Sequence, residues 1–267
     1  RFTIDVTKIE EKITPRTKAI VPVHLYGQCA DMASLMEIAR RHNLYVVEDT
    51  AQAIGATYTF RNGHKQKAGC IGDIGTTSFF PSKNLGCYGD GGALFIRDNQ
   101  LAERAHMIAN HGQEIKYHHD IVGCNSRLDT LQAAILDVKL KYLDEYTAAR
   151  NQVADRYDKE LASVKGIILP QRANDSTHVF HQYTIRVENH RRDELKDYLM
   201  QQGIPSMIYY PIPLHLQKAY TKEGQGKGTF PVAEQLSEEV LSLPMHTEMK
   251  PEEQEYIIEK IHAFFNR

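Results

Sequence analysis

Apolar residues follow two different periods along this chain, and each change of period marks an element. Lys18 to Leu25 (KAIVPVHL) reads as a buried strand. From Ala30 to Asn43 the spacing turns helical, with Leu35, Ile38 and Ala39 on one stripe and Asp31 placed to cap the first turn. Leu44 to Asp49 reads as a short strand, apolar on both faces and ending in acids. Strand, helix, strand predicts a right-handed parallel crossover. In open sheets of that kind, ligands sit beyond the carboxyl ends of the strands.

Further along, Tyr58 to Lys67 predicts a hairpin turning at Asn62-Gly63. Two more strands, Ile74 to Phe80 and Gly91 to Arg97, flank a loop that carries Lys83, and Gln100 to Asn110 reads as a helix. From Leu128 a helical stripe continues through Leu131, Ile135, Val138, Tyr146, Val153 and Leu161. That is too long for one ordinary helix, so a break is expected near 144–150. The same place divides the chain into a domain over 1–147 and a smaller one over 148–267. The second domain predicts a strand at His181 to Val187 and a helix at Arg191 to Gln202, closed by Gly203-Ile204-Pro205. A proline-punctuated loop (Met207 to Leu216) and a polar stretch read as flexible (220–228) follow. Helices at 231–241 and 251–265 finish the chain.

Composition narrows the function classes. Of 267 residues, 42% are hydrophobic and 25% charged, which fits a folded chain and disfavours disorder or a membrane span. A net charge of −2 provides no basic field for nucleic acid. Cys29, Cys70, Cys87 and Cys124 form no paired motif and read as reduced thiols of a cytoplasmic protein. The histidines His106, His111, His118 and His119 lack a carboxylate or cysteine at ligand spacing, so no metal site is expected. The glycines of Gly86 to Gly92 precede a strand instead of opening a helix, which rules out a dinucleotide fingerprint. They are expected to let the backbone run close to a cofactor or a neighbouring subunit.

Two stretches carry chemistry. In Ser78-Phe79-Phe80-Pro81-Ser82-Lys83-Asn84-Leu85, a lysine follows the end of an apolar strand among hydroxyl residues. Such an amine can form a Schiff base with a carbonyl cofactor such as pyridoxal phosphate; the competing reading is a surface-loop lysine. At the end of its own strand, Asp49 can pair with a pyridinium nitrogen, or else serve as a turn acid.

Pro22-Val23-His24-Leu25-Tyr26-Gly27, Glu48-Asp49-Thr50-Ala51-Gln52, the lysine stretch and Asn125-Ser126-Arg127-Leu128-Asp129 occur in this order. Together they resemble the DegT/DnrJ/EryC1/StrS family of nucleotide-sugar aminotransferases, over essentially the whole chain. The resemblance implies an α/β fold of the type-I pyridoxal-phosphate transferases. That fold has a mostly parallel central sheet flanked by helices, plus a smaller C-terminal α+β domain.

The resemblance also implies roles. Lys83 binds the cofactor and moves the proton, Asp49 meets the pyridine nitrogen, Gln52 the phenolic oxygen and Ser78 the phosphate. Asn125 matches an asparagine that reaches the cofactor phosphate of a partner subunit, which implies a homodimer; its other reading is a helix cap. Arg127 is a weaker candidate, for nucleotide phosphates or for a pair with Asp129. His24 and Tyr26 read as packing or substrate-facing residues, His215 lies in a loop where the family faces its substrate, and Tyr209 and Tyr210 of the same loop read either as a cover for a nucleotide base or as core packing. The implied substrates are glutamate and a nucleotide-linked keto sugar, for surface polysaccharide or glycoside synthesis.

Sugar dehydratases of this fold carry histidine in place of the lysine, so Lys83 favours transamination. Against the family pattern, an N-terminal portion with a Gly-Thr turn and a ring-stacking aromatic is expected to be missing. The alternatives are another activity of the same fold, or an incomplete, non-catalytic relative that binds a partner subunit or sugar nucleotide.

Overall fold

A computed structural model describes residues 1–221 and 224–267; Lys222 and Glu223, within the polar stretch 220–228, lie outside the described residues. The chain divides into two compact units, Arg1–Thr147 with Arg172–His181, and Ala148–Gln171 with Gln182–Arg267. Residues 172–181 thus belong with the first unit, a return that no pattern in the sequence announces.

The first unit is built on a four-stranded sheet in the order β1 (Ala19–Ile20), β2 (Tyr45–Asp49), β5 (Ile74–Ser78) and β6 (Gly92–Ile96). The first three run parallel and β6 is antiparallel to β5. Helix α1 (Met32–Arg41) makes the expected crossover, and the Asp31 carboxylate accepts from the Ser34 amide at 3.2 Å as its cap. The hairpin forms from β3 (Thr57–Thr59) and β4 (Lys65–Lys67), with Gly63 at φ +81° in the turn.

Several expectations are corrected. The strand expected over 18–25 is regular only at Ala19–Ile20, because Pro22 has no N–H to give the ladder. It is also one-sided: Ile20 and His24 are buried, whereas Val21 is 58% and Val23 40% exposed. β2 is not apolar on both faces, since Tyr45 is exposed and Glu48 is fully buried. The long stripe after Leu128 breaks at 141–142, between α3 (Thr130–Leu140) and α4 (Leu143–Leu161), and runs unbroken through 144–150. There the Tyr142 amide closes α3 on the Lys139 carbonyl and the Tyr142 carbonyl opens α4. Helix α2 (Asn99–Ala109) lies where expected, capped by Asp98.

The second unit holds a three-stranded antiparallel sheet, β7 (Ile167–Ile168), β8 (Tyr183–Val187) and β9 (Val240–Leu243). α5 (Arg192–Gln201), α6 (Pro231–Glu239) and α7 (Pro251–Phe265) accompany it. The helix expected over 231–241 stops at Glu239, and Val240-Leu241-Ser242-Leu243 forms a strand instead. A four-residue stretch with three apolar residues is too short for its period to separate helix from strand. Its pairing with β8, and the 2.8 Å bond between the Thr184 and Ser242 hydroxyls, decide the matter.

Candidate active site

The sheet register assembles the site. Asp49 pairs with Thr76 across β2 and β5, and Thr76 with Leu94 across β5 and β6. Side chains two residues apart in a strand share a face, so Asp49, Thr76 and Ser78 look out on one side. Glu48, Val46 and Thr77 point to the other, buried side.

Beyond β5 the chain makes a tight loop. The Lys83 amide donates to the Phe80 carbonyl at 2.9 Å and the Cys87 amide to the Phe79 carbonyl at 2.8 Å. A Cβ on Gly86 would lie 2.5 Å from the Pro81 carbonyl, so the loop closes only with glycine there. The glycines therefore serve close approach within the chain itself: a Cβ on Gly91 would meet Leu128 and one on Gly92 the Thr77 carbonyl, each at 2.8 Å.

The loop brings Lys83 back to the end of β2. Its amine is half-buried and makes no hydrogen bond or ion pair among the described residues. Burial pushes that amine below its usual pKa, and the nearby Asp49 carboxylate opposes the shift in part. Asp49 accepts from the Ala51 amide at 2.9 Å through Oδ1, while Oδ2 has no hydrogen-bond partner among the described residues. Ser78 Oγ accepts from the Phe80 amide at 3.2 Å, so its hydroxyl hydrogen remains to be donated. The Oε1 of Gln52 accepts from the Tyr26 amide at 2.7 Å, which turns the NH2 end of the carboxamide the other way. Tyr26 sits at φ +60° to make that bond, and its ring packs edge-on to Phe2.

An unbonded amine, a carboxylate oxygen without a partner and a hydroxyl with its proton to give are the groups a pyridoxal phosphate would engage. They suit its aldehyde, its protonated pyridine nitrogen and its phosphate in turn. The residues present fit the cofactor.

Other candidates fall elsewhere. Asn125 and Arg127 are exposed and line a cavity of about 740 Å³ together with Thr76, Leu94 and His106. Asn125 does not cap the following helix: Asp129 is the N-cap residue of α3, and the Asn125 backbone bridges to Asn110. Arg127 makes no ion pair with Asp129 among the described residues. His24 is fully buried, donating from Nε2 to Glu48 at 3.0 Å and accepting the Ala30 amide on Nδ1 at 3.1 Å. That geometry makes it a packing residue. His215, in the second unit, bonds Glu234 at 2.9 Å and packs on the Phe230 ring. Among the described residues no group of three His, Cys, Asp or Glu is arranged to hold a metal ion.

Sequence reasoning missed Glu48. Its carboxylate accepts from His24 Nε2 and from the amides of Gly69, Ile71 and Gly72 at 2.7 to 3.0 Å. Burial raises its pKa, but the His24 bond and the backbone amides outweigh burial and hold the group ionised below its ordinary value. An acid at the penultimate position of an apolar strand, on the inward parity, was the available signal. Asn84 was missed too, a buried carboxamide beside the lysine.

A model of the DegT/DnrJ/EryC1/StrS aminotransferase family matches residues 1–262. A pleiotropic regulatory protein of Geobacillus stearothermophilus is 49% identical, over 99% of this chain and 70% of its own length. A dTDP-3-amino-3,4,6-trideoxy-alpha-D-glucose transaminase of Streptomyces venezuelae is 43% identical, over 99% of this chain and 68% of its own. The crystal structure of NtdA from Bacillus subtilis with bound cofactor PMP superposes with a TM-score of 0.88. It is 35% identical and covers all of this chain and 60% of NtdA.

Proposed function

Because the chain belongs to the DegT/DnrJ/EryC1/StrS aminotransferase family, we propose that it transfers an amino group from glutamate to a keto sugar carried on a nucleotide. The observation that carries this reading is the Lys83 amine, held half-buried and unbonded in the field of Asp49. Pyridoxal phosphate is the cofactor, and when bound it supplies the electron sink that makes the carbon bearing nitrogen acidic.

The residues of the chain do the rest. The Lys83 amine, its pKa lowered by burial, takes the proton from the donor carbon and later returns one to the sugar carbon. Its position just past β5 keeps one group over both carbons. Asp49, through its unpartnered oxygen, balances a positive pyridine nitrogen. The Ser78 hydroxyl donates to the phosphate, and Gln52 offers its amide hydrogens to the phenolic oxygen. Arg127, exposed beside the cavity, is suited to the diphosphate of the nucleotide. Tyr26 and His24 act behind the site, Tyr26 by orienting Gln52.

We read the first unit as the cofactor-binding domain and the second as the small domain, with His215 a candidate for contact with substrate. The protein is read as a homodimer in which Asn125 serves the partner's cofactor. Leu131 and Val138 of α3, 69% and 57% exposed and two turns apart on one face, support this, since an exposed apolar stripe calls for a cover. Four thiols free of disulfides support a cytoplasmic location. The product would supply amino sugars for surface polysaccharide or glycosides.

The test is an absorption spectrum with added pyridoxal phosphate, followed by borohydride reduction and peptide mapping. A visible band fixed on Lys83 is expected, together with amination of keto-sugar nucleotides by glutamate. Fixation on another lysine would sink the assignment.

A further inference from the structure

Lys83 is held in place although nothing holds its amine. The exposed side of its loop, Phe80 to Ser82, has no side-chain bond to the rest of the fold among the described residues. Asn84, the next residue, does. Its Nδ2 donates to the Val179 carbonyl at 2.9 Å, and its Oδ1 accepts from His181 Nδ1 at 3.2 Å. Among the described residues no other side chain from Phe80 to Leu85 hydrogen-bonds outside the loop. Both ends of one buried carboxamide are thus fixed to a segment nearly a hundred residues away in sequence.

That segment is stiff. The Phe180 ring stacks on His178 at 3.8 Å and lies under the Arg172 guanidinium at 4.7 Å. Its backbone fits against Gly27, where a Cβ would lie 2.8 Å from the Phe180 amide. The Val179 amide in turn donates to the Gly27 carbonyl at 2.9 Å. A rigid segment tied to a loop at one point can set where that loop stands.

We propose that Asn84 is the positioning residue for Lys83: its carboxamide ties the lysine loop to residues 172–181, and this tie keeps the amine inside the site. The inference rests on Lys83 being the reacting amine. In this arrangement the amine is desolvated because the loop cannot relax outward. The lowered pKa of Lys83 is consistent with that, since burial is its main cause and Asp49, facing the amine from β2, works in the opposite direction. His181 meets the tie at its far end, and Arg172 and His178 are engaged on the Phe180 ring.

The experiment is competitive labelling of the cofactor-free protein with traces of acetic anhydride between pH 7 and 11, with Lys83 followed by peptide mass spectrometry. The wild-type midpoint is expected below the ordinary lysine value of 10.5. In Asn84→Ala it is expected to rise toward 10.5, so that labelling at pH 8 falls several-fold, as free amine falls about tenfold per pH unit. Should Asn84→Ala fail to fold, His181→Phe cuts the same tie from the other side, and a smaller rise is expected. Folded variants, checked by circular dichroism, that keep the wild-type midpoint would overturn the proposal and leave Asn84 a purely structural residue. Because no cofactor is present, the result is independent of whether the cofactor later fixes on Lys83.

Discussion

Glu48 and Asp49 are adjacent in sequence and face opposite sides of one strand. Asp49 keeps an oxygen for a ligand, whereas Glu48 fills its four acceptor positions with His24 and three backbone amides. Removing the Glu48 side chain leaves those donors buried and unpaired. Glu48→Ala is expected to cost about 3 kcal/mol or more, read as a lower urea midpoint. Lys83 is the opposite case, because its amine has no protein partner to lose. Lys83→Ala should keep the thermal midpoint of the apoprotein within about 2 °C while lowering turnover by about 10² to 10⁴-fold, the usual worth of a positioned acid–base group. A large loss of stability in that variant would mean the amine is structural. Both residues stand in short stretches whose chemistry the sequence displays. Strand parity hints at which of the two neighbouring acids faces inward, but the partners that make Glu48 tolerable there come from a loop about twenty residues away, which the sequence hides.

At the scale of elements, that loop is set by steric limits. Residues 69–72 pass so close behind the sheet that a Cβ on Gly75 would lie 2.0 Å from the Gly69 carbonyl, and one on Gly72 2.6 Å from the Val46 carbonyl. Neither neighbour is the flexible end of a side chain. Gly75→Ala is therefore expected to displace the 69–72 loop and give insoluble or strongly destabilised protein, whereas Gly63→Ala meets no atom and, at φ +81°, costs only about 1 kcal/mol of backbone strain, so it should stay soluble. Gel filtration of the two variants side by side checks this. The crossover α1, the hairpin and the ends of α5 were readable because caps, turn residues and periodicity agreed locally. The stop of α6 before β9 was not, because so short a stretch as Val240-Leu241-Ser242-Leu243 fits either element until a partner strand is present.

For the whole molecule, acid pH is expected to act through the first unit. Burial, with Arg172 adding to it, pushes the His178 imidazole down to about 3 from the ordinary 6.5. The unfolded chain therefore takes up this proton at higher pH than the folded one. Stability is full above pH 6.5 and falls at about 1.4 kcal/mol per pH unit below it, with the folded pKa near 3 as the lower limit. Glu48, whose folded pKa is also depressed, adds its loss as pH drops below 4.5. Thermal midpoints measured from pH 7 to 5 should slope downward, and His178→Gln should flatten the slope. Association is tested separately: Leu131→Lys on the exposed stripe of α3 should shift sedimentation from dimer toward monomer, and a monomeric wild type would refute the shared site.

The two chemical stretches were legible in the sequence alone, because each is a short run in which residue type and spacing express the chemistry, and family, fold class and cofactor followed from the resemblance that four such motifs in order carry. Tertiary structure decided how those runs meet. It turned Glu48 inward and Asp49 outward, buried His24, and returned residues 172–181 to the first unit, where they reach Asn84. These are contacts between residues far apart in the chain, fixed by strand register, close backbone approach and the need of every buried polar group for a partner, and no local pattern carries them.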